Sequence, residues 1–140
     1  MTTSPLVLPM ITLMVLTAVV WVYMYILRLR YVIAHRISAQ KLNSPEKIPE
    51  LLPEKINRPA NNLKNLFELP VIFYGLILLA LITELNTPSI TYLAWGFVGL
   101  RIIHSFIQCT NNNVMQRFKV YMLSAICLWA LLVNIFIILI

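Results

Sequence analysis

The chain has 140 residues, 60% of them hydrophobic and only 11% charged, with a formal net charge of +6 and a mean hydropathy of +0.82. Such usage excludes an ordinary soluble globular domain and places the chain in a bilayer. Its two cysteines, with no C-x-x-C or zinc spacing, exclude a disulfide framework and a structural metal site.

Four apolar stretches match the roughly 20 residues that a helix needs to cross about 30 Å of hydrocarbon. They cover residues 6–27, about 60–82, about 88–108 and 118–140. The expected architecture is therefore all-α, a single integral membrane four-helix bundle over residues 1–140. The first stretch reads as a retained span and not as a signal peptide. No Lys or Arg precedes it, its apolar core exceeds the usual 7–15 residues or so, and Arg28 and Arg30 follow without a small-residue cleavage site. Trp21, Tyr23 and Tyr25 form an aromatic belt at its end, with Arg28 and Arg30 at the interface. These arginines serve as headgroup anchors, or as ligand contacts if an anionic molecule binds nearby.

Residues 28–58 form the one polar loop of length. Ser44-Pro45, Pro49 and Pro53 are expected to end any regular element there. Asn57 is then placed to cap the second helix, with Pro59 in its first turn. Beyond it Arg58, Asn61, Asn65 and Glu68 are spaced 3, 4 and 3 apart, which stacks them on one helix face. Pro70 lacks the N–H that would bond the Leu66 carbonyl, so a kink is expected just after Glu68.

A short turn at residues 83–88 makes the second and third spans antiparallel neighbours. The third span carries Arg101, His104 and Gln108 on one face. After the turn Asn111-Asn112-Asn113, the fourth opens with Arg117, Tyr121 and Ser124 at helical spacing and is then apolar except for Asn134. Cys109 and Cys127 lie roughly 15 Å apart in helix rise, which suits inert buried thiols better than a disulfide.

Of the 11 Lys and Arg, eight lie between Arg28 and Lys64 and three between Arg101 and Lys119. With four spans these two regions share a side, so the positive-inside tendency makes both basic loops cytoplasmic and both termini non-cytoplasmic. Topology and anionic membrane lipid account for the charge; no aromatic-interleaved patch points to nucleic acid.

Counting about 20 residues inward from the short turn puts Glu68 about a turn inside the hydrocarbon and Arg101 nearly two turns inside. An ion pair, or a shared polar cup, is the expected arrangement. Within about two turns of its mouth lie Arg28, Arg30, Asn65, His104, Arg117 and Tyr121. Glu68 is the only acid among them, so the expected guest is a small anion-rich molecule. The alternative is a polar plug that sets helix register and binds nothing. Haem is excluded because His35 is in the loop and His104 stands alone. A small multidrug transporter is disfavoured by a first span without charge.

These residues resemble the membrane-associated proteins in eicosanoid and glutathione metabolism, the MAPEG family. Asn65-x-x-Glu68 with Pro70 looks like the second-helix signature, Arg101-x-x-His104 the third, Arg117-x-x-x-Tyr121 the start of the fourth, and Arg28-x-Arg30 the end of the first. The likeness covers nearly the whole chain, which is identified as a prokaryotic-type member. Relative to the eukaryotic pattern, Asn61 stands where an arginine is common, the glutamate-to-proline spacing is one residue shorter, and Gln108 replaces a tyrosine. The resemblance implies a homotrimer binding glutathione, as co-substrate, between neighbouring subunits near the cytoplasmic face. Arg28, Asn65, Glu68, Arg101, His104 and Tyr121 would hold the tripeptide, with Arg30, Lys64 and Arg58 as weaker candidates. Arg117 would stabilise the thiolate as the catalytic residue. The implied activity is that of a transferase or peroxidase acting on a lipophilic electrophile or hydroperoxide from the bilayer, without metal or haem. A non-catalytic protein of the same fold, its polar residues setting helix packing and trimer contacts, is the competing expectation.

Overall fold

A computed structural model describes residues 4–140, and among them it contains helices and no strand. Four helical segments, Val7–Ala34, Glu54–Ile82, Pro88–Cys109 and Val114–Leu139, are long and apolar enough to cross a membrane. The protein is an all-α four-helix membrane bundle.

Helix α1 (Val7–Ala34) runs two turns past the expected end of the first span. It stops because Arg36 enters the left-handed region at φ 51°. There the N–H groups of Arg36 and Ile37 bond back to the carbonyls of Ile33 and Val32 at 3.2 and 3.0 Å. The connection is more ordered than its prolines suggested. A 3-10 turn at Ala39–Leu42 is followed by the one-turn helix α2 (Ile48–Leu51), which accepts Pro49 in its first turn.

Helix α3 (Glu54–Leu66) begins at Pro53, a turn earlier than expected. Asn57 is therefore not its cap. It is buried in the second turn and its amide donates to the carbonyls of Leu52 at 2.9 Å and Pro49 at 3.4 Å, which ties α2 to α3. Pro59 falls inside the helix, not in its first turn.

The second span does not merely kink. It breaks at Phe67 and Glu68, and α4 (Leu69–Ile82) restarts with Pro70 in its first turn, where a missing N–H costs nothing. Glu68 stands at the break with φ −94° and ψ −98°. The two halves share α1 but differ in their other main partner, α5 for α3 and α6 for α4.

Helix α5 (Pro88–Cys109) is capped by Thr87 Oγ1, which accepts the Ile90 N–H, and α6 (Val114–Leu139) by Asn113 Oδ1, which accepts that of Gln116. These two helices share the most extensive interface, which includes Gly96, where a Cβ would meet the Cys127 sulfur at 3.4 Å. The core is apolar and continuous, with Phe73 stacked on Phe97 at 4.9 Å and Leu13, Ile77, Leu128 and Leu131 fully buried around them. Large apolar side chains such as Trp21, Trp95, Trp129 and Phe136 point outward, as a bilayer solvent permits.

Candidate functional site

The polar residues gather at the loop end of the bundle, where α1, α3, α5 and the start of α6 meet. A seam of side chains joins α3 to α5. Ser105 Oγ donates to Asn62 Oδ1 at 3.2 Å, the Asn62 amide faces the Cys109 sulfur at 3.7 Å, and Asn65 Nδ2 donates to Gln108 Oε1 at 2.9 Å. Asn62 and Ser105 are not among the residues that the sequence analysis singles out. Asn62 sits four residues after Arg58 and Ser105 four after Arg101, so the same helical spacing would have found both.

Arg101 is fully buried, at 0% exposure. Of the two expected arrangements, the ion pair with Glu68 is not formed. The Arg101 Nη2 donates to the backbone carbonyl of Asn65. That carbonyl would bond Leu69 in a continuous helix and is released by the break, so the arginine caps the end of α3. Its guanidinium lies 5.0 Å from the Tyr121 ring centre and 5.8 Å from that of Phe97. Glu68 at the break is exposed and its carboxylate accepts the Tyr121 hydroxyl at 3.4 Å. Tyr121 thus stands between the two charges.

A cavity of ≈ 290 Å³ opens on the α5–α6 side, lined by Asn65, His104, Arg117 and Tyr121 with the apolar Val114, Phe118 and Met122. His104 is 2% exposed, its ring centre 5.7 Å from that of Tyr121, and its Nδ1 has no partner within the described residues. Buried polar atoms are normally satisfied, and this nitrogen and the Nε and Nη1 of Arg101 have no hydrogen-bond partner among the described residues.

Arg28 and Lys64 do not share that cavity. They line a separate one of ≈ 340 Å³ between α1, α3 and the α2 segment, with Asn57, Asn61 and Phe67. Helix α3 therefore presents Asn65 to one cavity and Asn61 and Lys64 to the other. Arg30 is exposed on α1. Arg58 belongs to neither: its Nε and Nη2 clamp the Glu54 carboxylate at 2.9 and 3.0 Å, and its Nη1 donates to the Thr110 carbonyl at 2.5 Å. No cluster of three or more His, Cys, Asp or Glu suited to a metal ion occurs among the described residues. Cys109 and Cys127 are free thiols.

A protein-family model described as the MAPEG family matches residues 6–137. No curated protein and no solved structure matches the chain.

Proposed function

The chain belongs to the MAPEG family of multi-pass membrane proteins, and from that premise we propose that it is a glutathione-dependent transferase or peroxidase for lipophilic electrophiles or hydroperoxides. The observation that carries the reading is the convergence of Asn65, His104, Arg117 and Tyr121 on one cavity, with Glu68 hydrogen-bonded at its edge. Glutathione has two carboxylates, one ammonium and one thiol. The arginines suit the carboxylates, and Glu68 is the acid available for the ammonium. A thiol of pKa about 8.5 becomes a usable nucleophile near neutral pH when a cation stabilises its anion. Arg117 takes that role, since a guanidinium keeps its charge when partly desolvated. The thiolate sulfur then attacks an electrophilic carbon, expelling the leaving group with its electron pair in displacement or leaving a carbanion that takes a proton from water in addition. With a hydroperoxide it attacks the terminal oxygen and the O–O bond breaks. The alkoxide leaves and is protonated to the alcohol, and a second glutathione converts the sulfenic acid to the disulfide and water.

Two further parts of the reading follow from where the cations lie. Arg28 and Lys64 sit on the far side of α3 from the His104 cavity, so a tripeptide touching both sets needs two subunits side by side. This supports an oligomer with glutathione between neighbours, and the family resemblance makes the homotrimer the reading proposed. The charge asymmetry of the sequence supports cytoplasmic basic loops and non-cytoplasmic termini. The test is to titrate glutathione into the detergent-solubilised protein and follow thiolate absorbance. A saturable signal that is lost in Arg117→Ala is expected; its absence in the unmodified protein would sink the reading.

A second reading is favoured by the α3–α5 seam, whose polar groups bond one another. In it the protein is non-catalytic and these residues set packing and trimer contacts. Glu68→Gln and Arg101→Gln would then lower thermal stability equally with and without glutathione, and stabilisation by glutathione would count against it.

A further inference from the structure

Arg117 is reached by a chain of side chains that stand outside the cavity lining. Its Nη1 donates to Asn112 Oδ1 at 2.6 Å, and the Nδ2 of the same amide donates to Glu54 Oε1 at 2.8 Å. Glu54 is in turn clamped by Arg58, whose remaining Nη1 bonds the Thr110 carbonyl. The series runs from the first turns of α3, across the α5–α6 connection, to the first turn of α6.

Asn112 has two properties that suit it to this place. Its backbone is left-handed at φ 53°, with its N–H bonded to the Ile107 carbonyl at 2.8 Å. Glycine and asparagine tolerate that conformation best. Of the two, only asparagine adds an amide that accepts from one side and donates to the other. Arg58 already joins α3 to the α5–α6 turn through Thr110, so the Asn112 link to Arg117 adds something besides tethering. It anchors one N–H of a long, flexible side chain and leaves the rest of the guanidinium fork to be aimed. Because the amide is neutral, it does so without cancelling the charge.

We propose that Asn112, held by Glu54 and Arg58, is a positioning residue for Arg117 and sets the fraction of glutathione that is thiolate in the cavity. The inference rests on the reading of Arg117 as the thiolate-stabilising cation. Its strength comes from the unbroken bonding from Arg58 to Arg117, in which the neutral amide is the only member facing both charges.

The test is a pH titration of thiolate absorbance at saturating glutathione, on the full chain in detergent. It compares the unmodified protein with Asn112→Gly, Asn112→Asp and Arg117→Ala. Asn112→Gly keeps the left-handed backbone and deletes only the amide. Its midpoint is expected to move alkaline by about one pH unit, a tenfold loss of thiolate below the midpoint. Its melting temperature without glutathione should stay within about 2 °C of the parent. Asn112→Asp sets a carboxylate against the guanidinium and should move the midpoint further. Unchanged midpoints in both variants, with a shift in Arg117→Ala, would overturn the proposal and leave the thiolate reading standing. No thiolate signal in the unmodified protein overturns both. Should Asn112→Gly fail to fold, Asn112→Asp decides alone.

Discussion

Arg101 shows how a buried charge is accommodated when its expected partner turns away. Its depth and its neighbourhood with Glu68 could be counted from the sequence. The partner could not, because the Asn65 carbonyl becomes available only where the helix breaks, and no residue type announces a free carbonyl. Replacing Arg101 by Met leaves that carbonyl unbonded in a buried site, at a cost of about 1–3 kcal/mol. Relief from burying a cation offsets part of this. A lower unfolding temperature in detergent is therefore expected for Arg101→Met, with Arg101→Lys falling between it and the parent, because an ammonium reaches the carbonyl but does not reproduce a planar stack on Tyr121. Equal unfolding temperatures for the three proteins would remove the capping role.

At the scale of elements, the four spans were legible from apolar length, but α1 ends two turns later than expected and α6, capped by Asn113, starts at Val114, about a turn before residue 118. The start of α5 at Pro88, after the cap Thr87, was legible from turn chemistry. The start of α3 was not. Asn57 and Pro59 look like the opening of a helix, but Pro53 opens it a turn earlier and Asn57 is recruited to hold α2. The break at Phe67 and Glu68 was foreseen only as a kink, since Pro70 marks the disturbed turn without saying which residues leave the helix. Helix ends are also where backbone strain collects. Arg36, Glu84 and Asn112 all stand at positive φ. At Asn112 the side chain repays the conformation through its two bonds. Glu84 is exposed at φ 57°, and its position supports the return bond from Leu85 N–H to the Ala80 carbonyl at 2.8 Å. Glu84→Gly removes a left-handed penalty of about 1 kcal/mol and is expected to raise the unfolding temperature. A fall would mean that the Glu84 side chain makes a stabilising contact in the assembled protein.

For the whole molecule, the decisive feature is that one helix separates two groups of polar residues. The sequence placed Arg28, Asn65, His104, Arg117 and Tyr121 at one depth, and depth alone cannot tell which side of α3 each residue takes. In the folded chain Arg28 and Lys64 lie on one side and His104, Arg117 and Tyr121 on the other. On the proposed reading, a glutathione gripped by both groups would sit between copies, and complementation offers a direct test. Arg28→Ala and Arg117→Ala should each abolish most activity when expressed alone. If the subunits form the closed ring proposed above, co-expression in equal amounts mixes the two variants at random. On the order of a quarter of the interfaces then place an intact Arg28 from one subunit against an intact Arg117 from the next. Activity recovering to about that fraction of the parent is expected. Were both residues drawn from the same chain, no mixture would contain a complete site, and activity would stay at the level of the single variants whatever the ratio of the two.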